Sequence, residues 1–429
     1  MSLRGLINGI AVALMLTAFS SSLHSRSLYP IPKRPNYPKI ILYHSDKGPT
    51  KDLSDLDNTS CPDIPCIDAA VRLYMQKYSL TGASLAIMRR DSLLYVKGYG
   101  WADKEKGIAM EPFHRMRVAS VSKLLTAVGI MKLREEGRLS LDDKVFAPEG
   151  ILGGEWYCSD PADTRVREIT VEHLLRHSSG IPSKKVDYMF RRDGGISGEE
   201  VVRKNLAVKL SFEPGTDYEY SNTGYYVLCL IIEKITGRPY EEWMQENVFA
   251  PACCSVFAIA GSYEKDRLDG EVRYYMHPGS KPVPDSVTGR RTDVCYGGNN
   301  VRRLKGAGAW MATAPELCRI VAAIDEYMGI WDILRPESVE TMTQYICPPA
   351  YALGWLDVTP DGVWTRTGSY AGTTAIVKYF SEDGDCWVLL TNTSTAFGPK
   401  IALRSTLLIE KLRETSMTLL PHKDLFYQR

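Results

Sequence analysis

Three short stretches of this 429-residue chain carry side chains that could do acyl-transfer chemistry together. The first is Val118-Ala119-Ser120-Val121-Ser122-Lys123-Leu124-Leu125-Thr126, in which a Ser is followed three residues later by a Lys. On a helix that spacing puts both side chains on one face, about one turn apart. A Ser hydroxyl is a weak nucleophile at its free pKa and needs a neighbouring base. A Lys whose pKa is lowered by burial can be that base or can polarise one. The second stretch, Pro214 to Tyr225, holds the Tyr220-Ser221-Asn222 triplet on a turn just before an apolar helical pattern. A phenolate beside a Lys ammonium could act as general base, because the cation lowers its pKa. Read locally, Tyr220 could equally pack and Asn222 cap the helix. The third is Trp364-Thr365-Arg366-Thr367-Gly368-Ser369, at the end of a strand pattern. A Gly on a strand edge lets a substrate backbone approach closely. The N–H of Ser369 could then join that of Ser120 as an oxyanion hole. Arg366 is a fixed cation suited to a carboxylate, or simply an exposed Arg on an edge strand.

Ser-x-x-Lys alone is weak, and the chain holds a second copy, Ser262-Tyr263-Glu264-Lys265. That copy runs into Asp266-Arg267-Leu268-Asp269-Gly270, which cannot make a buried helix. The first runs into Leu124, Leu125, Ala127, Val128, Ile130 and Met131. A helix apolar on most sides is a buried one, so Lys123 is expected in the interior. The i, i+4 pair His173 and His177 has zinc-like spacing, but no Glu stands between them and no third ligand is evident, so no metal is expected.

The elements that must position these residues alternate in type along the chain. The pattern from Ile67 to Tyr78 predicts a helix. Residues 83–88 and 93–96 read as two strands joined at Arg90-Asp91-Ser92. The helix that starts at Ser120 is expected to run to about Glu136, with Gly137 as its left-handed stop. Ser197-Gly198-Glu199-Glu200 reads as a capping box, and Thr223 to Ile235 as a strongly apolar helix. Residues 261–306 read as long loops. Strands return at 363–366, 373–379 and 386–390, with a turn at Glu382-Asp383-Gly384-Asp385 and a last helix from about Lys400 to Arg413. Strands, then helices, then strands implies α+β: a sheet built from both chain ends around an inserted helical region.

Hydrophobic residues make up 44% and charged residues 24%, which is ordinary for a globular chain of this length. A net charge of +1 implies neither a nucleic-acid-binding surface nor an acidic tail. Residues 1–25 have a basic start, an apolar core from Leu6 to Phe19 and a small-residue end, the pattern of a secretory signal. The core is short for a membrane span, and an uncleaved N-terminal anchor is the alternative. Export, to a periplasm or the medium, is therefore expected. Residues 26–60, with Pro30, Pro32, Pro35 and Pro38 among them, read as an extended lead-in. Residues 61–115 and 305–415 form the expected sheet-and-helix domain, and 116–304 the mainly helical one. Ten Cys show no metal framework; Cys61 with Cys66, and Cys253 or Cys254 with Cys295, are the expected disulfides, while Cys229 and Cys318 read as buried thiols.

Taken together, Ser120-x-x-Lys123, Tyr220-x-Asn222 and Arg366-Thr367-Gly368 resemble the motifs of the serine β-lactamase and penicillin-binding-protein family. The chain is most like the class C β-lactamase branch, which also holds esterases and D-amino-acid peptidases. Flanking segments agree: Ile169 to Pro182, Gly306 to Ala314, and Leu353-Gly354-Trp355. The resemblance spans about residues 66–413. It implies an antiparallel sheet flanked by helices, an all-helical domain and a cleft between them, the β-lactamase/transpeptidase-like fold. It also implies Ser120 as nucleophile, Lys123 and Tyr220 as proton movers, and Asn222 and Arg366 to Ser369 around the substrate, with no cofactor. The family's third motif usually begins with Lys or His. Arg366 keeps the charge but cannot shuttle a proton, which narrows its role to electrostatics or carboxylate binding. The expected substrate is a small amide, peptide or ester. D-Ala-D-Ala peptide cleavage, β-lactam hydrolysis and acylation without turnover are the alternatives. Tyr370-Ala371-Gly372 and loops 183–196 and 261–306 would set the choice.

Overall fold

A computed structural model describes residues 43–44, 48–183, 187–190, 196–285, 287–325, 327, 332–344 and 351–427. The expected signal segment lies outside them. Among the described residues no helix is long and apolar enough to cross a membrane.

Seven strands form one antiparallel sheet. Three come from the first part of the chain: β1 (Gly82–Arg89), β2 (Ser92–Asp103) and β3 (Ile108–Ala109). Four come from the last: β4 (Asp357–Val358), β5 (Val363–Tyr370), β6 (Thr373–Phe380) and β7 (Asp385–Thr391). The order is β4-β5-β6-β7-β1-β2-β3, so the two ends of the chain meet where β7 pairs with β1, from Asp385 opposite Arg89 to Thr391 opposite Ala83. The β1–β2 turn is tight because Arg90 and Asp91 both take positive φ, 47° and 55°. That turn geometry matches the twist of the flanking strands.

Helices α1 (Pro65–Tyr78) and α9 (Ile401–Ser416) cover one face, tied by the Tyr74 hydroxyl and Ser405 Oγ at 2.7 Å and by Lys378 of β6 to Glu410. Helix α7 (Ala314–Ala322) packs on β7 and β1. Between the strand groups lie α2 (Ser122–Glu135), α3 (Val171–Leu175), α4 (Gly198–Leu206), α5 (Asn222–Thr236), α6 (Tyr240–Met244) and, later, α8 (Pro336–Thr343). Eleven of the fourteen residues of α2 are buried, as its all-round apolar pattern requires. Gly137 (φ 68°) and Gly237 (φ 67°) stop α2 and α5 in the left-handed region open to Gly. This mixed architecture is the α+β class read from the sequence.

Three local expectations need correction. The lead-in is not extended throughout: Asp52 caps a short turn, Leu53–Asp55, that sends Leu53 and Leu56 into the core. At α4, Ser197 accepts from the Glu200 N–H at 3.2 Å, but the Glu200 carboxylate turns to Arg203 and leaves the box open. The expected disulfides are absent: Cys61, Cys66, Cys254 and Cys295 are free thiols. Cys61 is buried and donates to the Val96 carbonyl at 2.9 Å, while Cys66 faces solvent. Cys254 and Cys295 are buried, with Cys295 engaging the Tyr274 carbonyl.

Candidate active site

Ser120 lies just before α2, in the short turn Ala119–Val121, rather than inside the helix. Side chains three apart still share a face there, because a 3₁₀ turn has about three residues per turn. Lys123, one turn on, is wholly buried. Its ammonium donates to Asn222 Oδ1 at 2.7 Å and to the Ala307 carbonyl at 2.5 Å, and stands 3.4 Å from Ser120 Oγ.

Tyr220 and Asn222 come from the start of α5. Ser221, not Asn222, is the cap, accepting from the Gly224 N–H at 3.0 Å. That leaves the side chains on either side of it free to point at Lys123. The Tyr220 phenol donates to Ser120 Oγ at 2.8 Å, and its ring stands 4.8 Å from the Lys123 ammonium. Asn222 bridges two groups: its oxygen takes the Lys123 bond and its Nδ2 donates to Asp187 at 2.7 Å.

Strand β5 brings the third motif. β4 pairs with it only as far as Thr365, and Leu356 donates to the Thr365 carbonyl at 2.9 Å. Peptide groups alternate along a strand, so Thr367 and Ser369 turn theirs to that same edge, beyond the end of β4. Gly368 packs against the turn that carries Ser120: a Cβ there would fall 2.2 Å from the Val118 carbonyl oxygen and 2.9 Å from the Ser120 nitrogen. Arg366 is 1% exposed. Its Nε donates to the Ser120 carbonyl at 2.7 Å and its Nη2 reaches the Tyr220 oxygen at 3.5 Å. It therefore lies beneath the Ser120 turn, and its Nη1 is buried without a hydrogen-bond partner among the described residues.

The charges act on one another. Burial lowers the Lys123 ammonium below its usual range, and Tyr220 opposes that shift. Burial alone would raise the Tyr220 phenol, but Lys123 and then Arg366 outweigh it and bring its pKa below the ordinary 10. Burial raises Asp187, against the pull of Asn222, the Met189 N–H and Lys123.

Three contributors carried no sequence signal of their own: Asp187, the Ala307 carbonyl, and His177 as a packing partner of Tyr220 at 4.4 Å between rings. The two histidines do not share a helix face. His173 closes the α3 capping box with Thr170, while His177 lies past the helix end at φ 57°. No group of three His, Cys, Asp or Glu side chains among the described residues could hold a metal ion. The second Ser-x-x-Lys is structural, with Ser262 Oγ accepting from the Val301 N–H at 3.0 Å.

An antiparallel sheet flanked by helices, with Ser, Lys and Tyr converging at the start of a buried helix, defines the β-lactamase/transpeptidase-like fold. The chain belongs to the β-lactamase family, whose model matches residues 67–409. It is 25% identical over 373 residues to protein flp of Staphylococcus aureus (strain MRSA252), covering 84% of this chain and 70% of that protein. It is 26% identical over 319 residues to the putative penicillin-binding protein PbpX of Bacillus subtilis (strain 168), covering 74% and 71%. The solved D-amino acid amidase of Ochrobactrum anthropi SV3 superposes with a TM-score of 0.68 at 23% identity, over 82% of this chain and 99% of that one.

Proposed function

We propose that this chain is an exported serine hydrolase that opens an amide or ester through an acyl-enzyme on Ser120. The observation that carries the reading is the 2.8 Å contact between the Tyr220 phenol and Ser120 Oγ beside a buried Lys123. With Tyr220 ionised, its oxygen takes the Ser120 proton as Oγ bonds to the substrate carbonyl carbon. The carbonyl oxygen becomes an oxyanion held by the N–H groups of Ser120 and Ser369. Collapse expels the amine or alcohol, which takes the proton back from Tyr220. Water then attacks the ester on Ser120 by the same proton route, releasing the acid and restoring the hydroxyl. Lys123 and Arg366 lower the pKa of the phenol below its ordinary value and so favour the phenolate.

An uncharged amide or ester is the leading substrate class, with a D-Ala-D-Ala peptide or a β-lactam as the alternatives. The named activity of the amidase relative agrees with an amide. Export rests on the signal-like residues 1–25. The test is intact mass after a fluorophosphonate, a penicillin and a p-nitrophenyl ester. Turnover of the ester with a fluorophosphonate adduct on Ser120 and no penicillin adduct is expected. Full hydrolysis by Ser120→Ala would overturn the reading. A stable adduct without turnover would make the protein an acylatable binding protein.

A further inference from the structure

His177 is the one residue of the His173/His177 pair that touches the site, and it does so through Tyr220. Its backbone carbonyl accepts from the Glu219 N–H at 3.0 Å, and its ring Nδ1 accepts from the Ser221 N–H at 3.1 Å. Glu219 and Ser221 are the two residues that flank Tyr220. The imidazole itself lies against the Tyr220 ring, with centroids 4.4 Å apart and planes at 33°. One residue thus grips the chain before and after the phenol and supports the phenol's face.

Two further observations say that this arrangement is held rather than incidental. His177 takes φ 57°, a left-handed conformation that a residue with a Cβ adopts where its surroundings enforce it. It is also 0% exposed, and its Nε2 finds no hydrogen-bond partner among the described residues. A buried imidazole that accepts at Nδ1 carries its proton on Nε2 and is neutral. The groups around it keep it so: burial first, then Lys123 from α2 and Arg366 from β5, with Tyr218, Tyr220, Tyr225 and Tyr351 forming the rest of the wall.

We propose that His177 is a positioning residue for Tyr220: as a neutral acceptor, it sets the phenol against Ser120 by fixing the peptide groups on either side of it. The inference rests on Tyr220 acting on Ser120 as described above. A shift of about 1 Å at a reacting group can cost roughly 10²-fold in rate, so a clamp on the flanking peptides matters to the chemistry.

Two near-isosteric substitutions separate the roles of the ring nitrogens. His177→Asn keeps an acceptor where Nδ1 stands and tolerates positive φ. His177→Gln puts its polar atoms where Nε2 stands and removes the Nδ1 acceptor. The readout is the rate at which a fluorophosphonate labels Ser120, followed by intact mass from pH 6 to 10 on protein whose melting shows it folded. His177→Asn is expected to label within roughly threefold of wild type, with the same pH limb. His177→Gln is expected to label at least roughly tenfold more slowly. Its limb should shift upward, because a loosened phenol leaves Lys123 and Arg366. No limb should come from His177 itself. Wild-type labelling by His177→Gln, or equal loss in both variants, would overturn the clamp. Tyr220→Phe is measured alongside: if it labels like wild type, the role of Tyr220 falls first and the clamp with it. If it is slow while His177→Gln is normal, only the clamp falls.

Discussion

The Tyr220 phenol stands 2.8 Å from the Ser120 hydroxyl, although the two residues are 100 positions apart in the chain. In the proposed mechanism the pair, not either residue alone, makes the nucleophile. Ser120→Ala should abolish ester hydrolysis, and Lys123→Ala and Tyr220→Phe should each slow acylation by roughly 10²-fold or more, as loss of acid–base help does. Stopped-flow release of p-nitrophenol measures this. Ser262→Ala should leave the rate unchanged, since its hydroxyl only accepts from Val301.

Arg366 should act on Tyr220 through its charge. It lowers the phenol's pKa together with Lys123. In the proposed mechanism acylation needs the ionised phenol, so the rate should rise with pH through a pKa below 10. Arg366→Met removes one of the two cations, so the limb should move to higher pH and the rate at neutral pH should fall. A pH profile of acylation from 6 to 10 in both proteins tests the sign, and an unmoved limb would remove Arg366 from the electrostatics.

Gly368→Ala should be damaging out of proportion to its size. The added carbon would meet the Val118 carbonyl at 2.2 Å and the Ser120 nitrogen at 2.9 Å, both backbone atoms that cannot swing away. The turn carrying Ser120 must shift from β5, which misaligns the nucleophile with the Ser369 N–H. A loss of roughly 10²-fold in acylation is expected, by the sensitivity of reacting geometry to about 1 Å. Circular dichroism should show the fold intact.

Glu316 predicts a pH-dependent stability unconnected with the site. It is buried on α7 and accepts from the N–H groups of Ser255 and Val256 at 2.7 and 3.0 Å. Burial outweighs those bonds and pushes its pKa up to about 7 from 4.5. A raised folded-state pKa means that stability is full below 4.5 and is lost as pH rises through about 7. Relative to Glu316→Gln, wild type should lose up to roughly 3 kcal/mol over that window, at about 1.4 kcal/mol per pKa unit. Urea unfolding at pH 4.5, 6 and 7.5 measures it. A constant difference between the two proteins would refute the shift.

Much of the fold was legible because its signals are local. The apolar run after Lys123 encodes a buried helix whatever packs around it, and Gly137 and Gly237 mark stops by their lack of a Cβ. The alternating strands of both chain ends and their turns could be placed for the same reason. Disulfides could not, because thiol pairing depends on how side chains are aimed after folding, and Cys61 and Cys66 are aimed apart. Asp187 was invisible because a single Asp in a loop carries no pattern; only its 2.7 Å bond to Asn222 gives it a place.

The sequence by itself determined that Ser120 and Lys123 share a face at the start of a buried helix, and that the chain carries the family's three motifs in order. Both are properties of short spacing, which the helix and strand periods convert directly into geometry. Only the tertiary structure decided what those motifs touch. Lys123 meets Asn222 and Ala307 across 99 and 184 residues, and Arg366 reaches Ser120 across 246. The decisive case is Arg366, a cation whose residue type suited either a substrate carboxylate or an internal charge. Strand alternation turns its side chain under the Ser120 turn and its neighbours' peptide groups to the edge beyond β4, so packing, not composition, assigned it to the interior.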